Sequence, residues 1–369
     1  MMKRIVFILA MLFLLLGTAP SAWSSDYLTV HEYYSIHPEQ AEVAHKFDSI
    51  VQQEGVPLAE GVQKEPVRIV FVYPGNQVSD YWRRSIKSFT KRMDEVHVQY
   101  EISEHFTKPG VELRIQEKQL QEALATNPDY LVYTLNVNKH RKLIERIITK
   151  GKPKLILQNI TTPLRDWEGK QPFLYVGFDH AVGTIQYLAK YLLNRTGGEG
   201  DYAMLYFDQG YVSSMRGDTL IRYLGENSNH KLVASYYTDG QRGKSKNAVL
   251  EILREHDVKF IYACATDTAF GAIDALRETN KMGQIMVNGW GGGSEELRSI
   301  TQGEMDYTVM RMNDDNGVAM AEAVRLDIEK KTYLVPTVFS GQFVIIGKGI
   351  KQDELKRLKA RAFRYSGVE

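Results

Sequence analysis

Residues 67–93 read VRIVFVYPGNQVSDYWRRSIKSFTKRM, and the change of period inside that stretch decides the fold. Val67 to Tyr73 is a short apolar run of strand type. After a polar loop, Trp82, Ile86, Phe89 and Met93 recur at helical spacing, a single apolar stripe that packs on a sheet. Ser79 is the natural N-cap of that helix. Strand, loop and amphipathic helix form one α/β unit, and the device repeats along the chain, the signature of parallel sheets. Strands are expected near Val67 to Tyr73, Val96 to Ile102, Tyr130 to Thr134, Lys154 to Gln158, Phe173 to Val176 and Tyr202 to Tyr206. Further ones follow near Leu232 to Tyr237, Phe260 to Ala263, Ile285 to Asn288, Tyr307 to Val309 and Gln342 to Ile346. A helix from Pro38 to Val51 precedes them. After Phe178 another helix, with Asp179 as a possible cap and Val182, Ile185, Leu188, Ala189 and Leu192 on one face, opens a second sheet.

With 369 residues, 43% of them apolar, the chain is too long for one small core, and two domains are expected. Lys3 and Arg4, the apolar run Ile5 to Leu16 and the small-residue segment Thr18 to Ala22 read as an export signal over residues 1–24. The apolar run falls short of the roughly 20 residues needed to span a bilayer. Periplasmic export without membrane insertion is the expectation. Removing Lys3 and Arg4 leaves 44 basic against 45 acidic side chains, a balance that argues against nucleic acid as partner. The single cysteine, Cys264, sits in an apolar run and reads as a buried thiol.

Signatures of catalysis are missing. Gly289-Trp290-Gly291-Gly292-Gly293-Ser294 is not a dinucleotide fingerprint, there is no phosphate-binding Gly-Lys-Ser/Thr loop, and the nine histidines show no metal-ligand spacing. No catalytic residue, metal site or cofactor is expected. What the carboxyl ends of the strands do carry is a set of hydrogen-bonding groups: Gln77, Ser79, Asn159, Arg216, Thr266, Asp267 and Arg311. Each has a plainer alternative. Ser79 and Asp267 serve equally as helix caps, the latter for a helix starting at Thr268; Asn159 serves as a turn residue, and either arginine as half of a surface ion pair. Trp82 and Trp290 are core aromatics or faces on which a sugar-like ring stacks. Val78-Ser79-Asp80-Tyr81-Trp82 and Val212-Ser213-Ser214-Met215-Arg216 correspond, a serine followed three positions on by a large side chain. Two such segments facing each other would line a cleft.

The ordered set Gln77 to Trp82, Gln158-Asn159, Ser213 to Gly217, Ala265 to Ala272, Asn288 to Gly292 and Met310 to Asp314 resembles the periplasmic sugar-binding proteins related to ribose binders, over about residues 66–350. Within that family it is most similar to the autoinducer-2 receptors of vibrios. The resemblance implies α/β architecture with two Rossmann-like lobes joined by a three-strand hinge, the type I periplasmic binding protein fold. It implies a signal segment at 1–24, an N-terminal extension at 25–65, a first lobe of 66–178 plus 312–335 and a second of 179–311 plus 336–369. It further implies binding, not catalysis: the furanosyl borate diester of autoinducer-2 held by Gln77, Ser79, Trp82, Asn159, Arg216, Thr266, Asp267, Trp290 and Arg311, and closure reported to the periplasmic domain of a sensor histidine kinase, LuxQ. The alternative is a pentose-binding protein of an import system. Where sugar binders of the family carry Gly-Phe-Asp-Gly, this chain has Gly289-Trp290-Gly291-Gly292. Losing that carboxylate while keeping two arginines suits a tetrahedral anion.

Overall fold

The computed structural model describes residues 26–135 and 140–367; the expected export signal lies outside them. Among the described residues twelve strands form two six-stranded sheets. The first is ordered β11-β5-β4-β3-β1-β2, with β1 Val67–Tyr73, β2 Tyr100–Phe106, β3 Tyr130–Tyr133, β4 Lys154–Gln158, β5 Leu174–Gly177 and β11 Val338–Ser340. The second is ordered β12-β10-β9-β8-β6-β7, with β6 Glu199–Tyr206, β7 Asn229–Tyr237, β8 Phe260–Ala263, β9 Met286–Gly291, β10 Tyr307–Arg311 and β12 Phe343–Gly347. Every pairing is parallel except β10 with β12.

The period-two alternation of β1 shows why the sheet is buried on both faces. Ile69, Phe71 and Tyr73 pack with Trp82, Ile86, Phe89 and Met93 of the helix Tyr81–Glu95. Val70 and Val72 point the other way, to Leu120 and Ile144. Helices thus cover both sides of a parallel sheet, as the near-continuous apolar strands require. The N-terminal helices Val30–Ile36 and Pro38–Gln52 belong to the first lobe, where Phe47 and Val51 join its core.

As far as β12 the chain crosses between the sheets three times, from β5 into the helix beginning at His180, from β10 into the helix Asp314–Ile328, and from β11 into β12, and its C-terminal segment makes a fourth passage. The helix Asp314–Ile328 packs on Tyr81–Glu95, so it is part of the first lobe. The third crossing departs from the expected boundary after Val335. Val338–Ser340 pairs with β5 at Val338↔Tyr175 and Ser340↔Gly177, so the first lobe extends to Ser340. After the helix Gln352–Ala362 the chain returns to the first lobe, where Tyr365 and Ser366 donate backbone hydrogen bonds to Asp314.

Two capping expectations also shift. The helix predicted from Ser79 begins at Tyr81 with Asp80 at its N-cap, and the Ser79 hydroxyl lies 3.5 Å from Tyr81 N. The Asp80 carboxylate is engaged elsewhere, by Arg84 Nε at 2.6 Å and by the Ser294 hydroxyl at 2.9 Å. Asp179 does cap its helix, accepting from Val182 N at 3.0 Å. Among the described residues, no helix is long and apolar enough to cross a membrane.

Candidate functional site

The carboxyl ends of the two sheets face each other across a small cavity. Gln77, Ser79, Trp82 and Asn159 line it from the first lobe; Arg216, Thr266, Trp290 and Arg311 line it from the second. The structure therefore gathers eight of the nine predicted residues around one cavity. Asp267 is the exception. The helix predicted from Thr268 starts at Thr266, which places Asp267 inside its first turn with its carboxylate turned to the Val78 N–H at 3.2 Å. That bond joins the lobes, and Asp267 does not line the cavity. Trp82 and Arg216 both line the cavity, but not from matching helical positions: Trp82 is the second residue of its helix, and Arg216 the sixth from the helical start at Tyr211. The serines do not match: Ser213 lies within its helix and accepts from Phe207 N.

The two arginines carry the electrostatics. Arg216 donates from Nη1 to the Cys264 carbonyl at 2.7 Å and from Nε to His180 Nδ1 at 3.1 Å, and its guanidinium lies 3.8 Å above the Trp290 ring. Burial, reinforced by the nearby Arg311 charge, pushes its pKa down to about 9. Arg311 stacks on Tyr81 at 4.0 Å, and burial lowers its pKa as well. Its Nε is buried without a hydrogen-bond partner. Gly291 and Gly292, at φ +131° and +63°, let the backbone pass this close, because a Cβ at Gly291 would fall on that guanidinium. Among the described residues no acid stands on the cavity wall.

The uncharged groups complete it. Asn159 follows β4 in the left-handed region, φ +67°, with its Oδ1 buried and unpartnered. The change of direction expected there is present, and Asn159 is one of the residues lining the cavity. Gln77 spends one amide hydrogen on the Pro74 carbonyl at 2.8 Å, and Thr266 donates to Glu296 at 2.6 Å, leaving its own oxygen free to accept. Cys264 is fully buried beneath, its thiol pushed upward in pKa by desolvation.

Sequence reasoning missed three participants. Tyr81 and Phe207 supply aromatic wall. Glu296, fully buried behind it, accepts from Trp290 N, Gly292 N and the hydroxyls of Thr266 and Thr308, at 2.6 to 3.0 Å. With four donors its charge is fully satisfied, and it sets the turn that carries Trp290. Its only sequence signal is a first-turn acid after a glycine run, which reads as an ordinary helix start. Among the described residues no cluster of acids, histidines and cysteine is arranged to hold a metal ion. Unsatisfied buried donors and acceptors, two cations and aromatic faces can together hold a small oxygen-rich ring.

Two α/β lobes joined by hinge crossings, with a polar cavity between their strand ends, define a cleft-binding receptor. The family model for the periplasmic binding protein domain matches residues 69–332, and the chain belongs to that family, whose members bind solutes. The D-allose-binding periplasmic protein of Escherichia coli K12 is 29% identical over 162 residues, 43% of this chain and 51% of that protein. The chain thus spans about half the length of that curated relative. Among solved structures, an Agrobacterium vitis solute-binding protein with bound D-fucose superposes with TM-score 0.69 at 17% identity, covering 78% of this chain and 98% of that one. An Actinobacillus succinogenes solute-binding protein with bound D-allose gives 0.66 at 18%, covering 79% and 100%. The XylFII molecule of the XylFII-LytSN complex gives 0.65 at 17%, covering 77% and 99%.

Proposed function

We propose that the chain is a periplasmic receptor for an anionic, ring-shaped signal, the furanosyl borate diester of autoinducer-2, of the class typified by LuxP. The observation that carries this reading is the cavity wall, where two buried guanidinium groups stand with no acid among the lining residues. Two buried like charges are costly unless an anion meets them. Arg311 Nε and Asn159 Oδ1, donor and acceptor without partners, are where such a ligand gains most. A monoanion bridging the arginines turns their repulsion into attraction and favours the closed arrangement of the lobes. In this reading closure alters the outer surface met by the periplasmic domain of a sensor kinase of the LuxQ type. A fold shared with the XylFII molecule of the XylFII-LytSN complex is compatible with it.

A second reading is favoured by the named relatives, whose ligands are D-allose and D-fucose: an uncharged sugar delivered to an importer. The test is to purify the protein from a periplasm that makes autoinducer-2, release its small molecule by gentle denaturation, and examine it by boron NMR and mass spectrometry. Boron in proportion to protein supports the signal receptor. A boron-free sugar moves the assignment to import.

A further inference from the structure

We infer that His180 is a positioning residue of this site, held as the neutral imidazole protonated on Nε2 and fixing the direction in which Arg216 presents its guanidinium. The inference rests on the cleft being the ligand site and adds a residue that does not line it. His180 is the first helical residue after the first crossing, at the hinge. Its Nε2 lies 3.2 Å from the Asn159 carbonyl, which only accepts, so Nε2 carries the hydrogen. Its Nδ1 lies 3.1 Å from Arg216 Nε, which only donates, so Nδ1 carries none. The two neighbours leave one tautomer. The ring is wedged between Tyr211 at 5.5 Å and Trp290 at 5.2 Å, and Trp290 is the face on which Arg216 stacks.

One imidazole therefore ties the backbone of Asn159, in the first lobe, to the head of Arg216, in the second. The charged groups near it do not compete for the proton: Arg216 and Arg311 are cations that oppose its protonation, and the neighbouring Asp179 carboxylate is bound to its own helix at Val182 N. Burial acts in the same direction. His180 and Arg216 both ride on the second lobe, so their bond does not itself span the cleft.

The test separates the two ring nitrogens. In His180→Asn the side-chain oxygen stands near the place of Nδ1 and can still accept from Arg216. In His180→Gln the amide reaches the place of Nε2 and restores only the Asn159 bond; His180→Leu restores neither. Binding is read by tryptophan fluorescence with autoinducer-2 formed in borate buffer and, separately, with D-allose. For whichever probe the wild type binds, His180→Asn should stay within about threefold of wild type while Gln and Leu lose about 10- to 100-fold. Equal losses in Asn and Gln that follow their thermal midpoints would overturn the assignment and leave a structural histidine. Should the wild type bind neither probe, the ligand reading fails, and nitrogen-15 NMR of histidine-labelled, ligand-free protein still decides. A signal lost in His180→Asn that shows the Nε2–H form unchanged from about pH 5 to 9 sustains the inference. A titrating ring, or one protonated on Nδ1, defeats it.

Discussion

Arg311 combines the clearest liability with the clearest use. Its guanidinium is buried, stacked on Tyr81, and keeps one N–H unpaired. Replacing it with methionine, of similar volume, should remove anion binding by about 30-fold or more. The same change should leave ligand-free stability unchanged or raised by about 1 kcal/mol, because the desolvation penalty goes with the charge. A chain that both unfolds more easily and still binds the borate ester would contradict this. Arg216 makes a different prediction, through pH. The unfolded chain keeps its charge up to 12.5, whereas the folded chain releases the proton near 9. A depressed base binds fewer protons folded than unfolded across that window, so the penalty is complete below it and relieved as pH rises. The stability difference between wild type and Arg216→Met should therefore move in the wild type's favour from about pH 8 to 10, read by denaturant unfolding. At this scale much was legible in the sequence. Residue type at strand ends pointed to eight wall residues, whereas Asp267, Glu296 and His180 depend on which way a side chain turns once two distant segments meet. Local spacing carries no trace of that.

Most elements lie where the sequence pattern places them, the short strands β4 Lys154–Gln158 and β8 Phe260–Ala263 included; β2 and β11 do not. The helix Tyr81–Glu95 and strand β1 follow from periodicity alone, but β2 runs from Tyr100 to Phe106, later than expected, because the preceding helix extends to Glu95. Strand β11, three residues long, has too few positions to show any alternation, and its place on the edge of the first sheet is fixed by β5. Close packing between helices is likewise invisible in one sequence. Gly317 lies where the helix Asp314–Ile328 meets Tyr81–Glu95, and a Cβ there would fall on Ser88 Oγ and the Ser85 carbonyl and come 2.6 Å from Phe89 N. Backbone atoms cannot yield as a flexible side chain does. Gly317→Ala should destabilise the protein by about 1–3 kcal/mol through forced separation of these helices, measured as a shift of the urea midpoint. An unchanged midpoint would show that the helices have room to slide. Since the helix Asp314–Ile328 follows directly on Arg311, a shift there should also move the arginine.

Three hinge crossings and the C-terminal return tie the lobes together and restrict them to rotation about the hinge, and contacts across the cleft show what their approach gains. Asp267 accepts from Val78 N, Asp80 accepts from Ser294, and Arg84 donates to the Ser294 hydroxyl at 2.9 Å. None of these groups lines the cavity. They act on the equilibrium between open and closed forms, which a ligand shifts only by its differential affinity. Removing one of them should weaken every cleft ligand by the same factor. For Asp267→Ala, losing one acceptor for a backbone N–H is worth about 1–2 kcal/mol, or roughly 5- to 30-fold in affinity. The ratio of affinities for the borate ester and for D-allose should not move, whereas Arg216→Ala and Arg311→Ala should collapse it. Titrating both probes against these variants, with small-angle scattering to follow compaction, tells a closure latch from a ligand contact. A changed ratio in Asp267→Ala would return that residue to the ligand-binding set in which sequence resemblance first placed it. An unchanged ratio with less compaction at saturation would fix it as a latch, and the choice of ligand would then rest with the two arginines and the polar groups beside them.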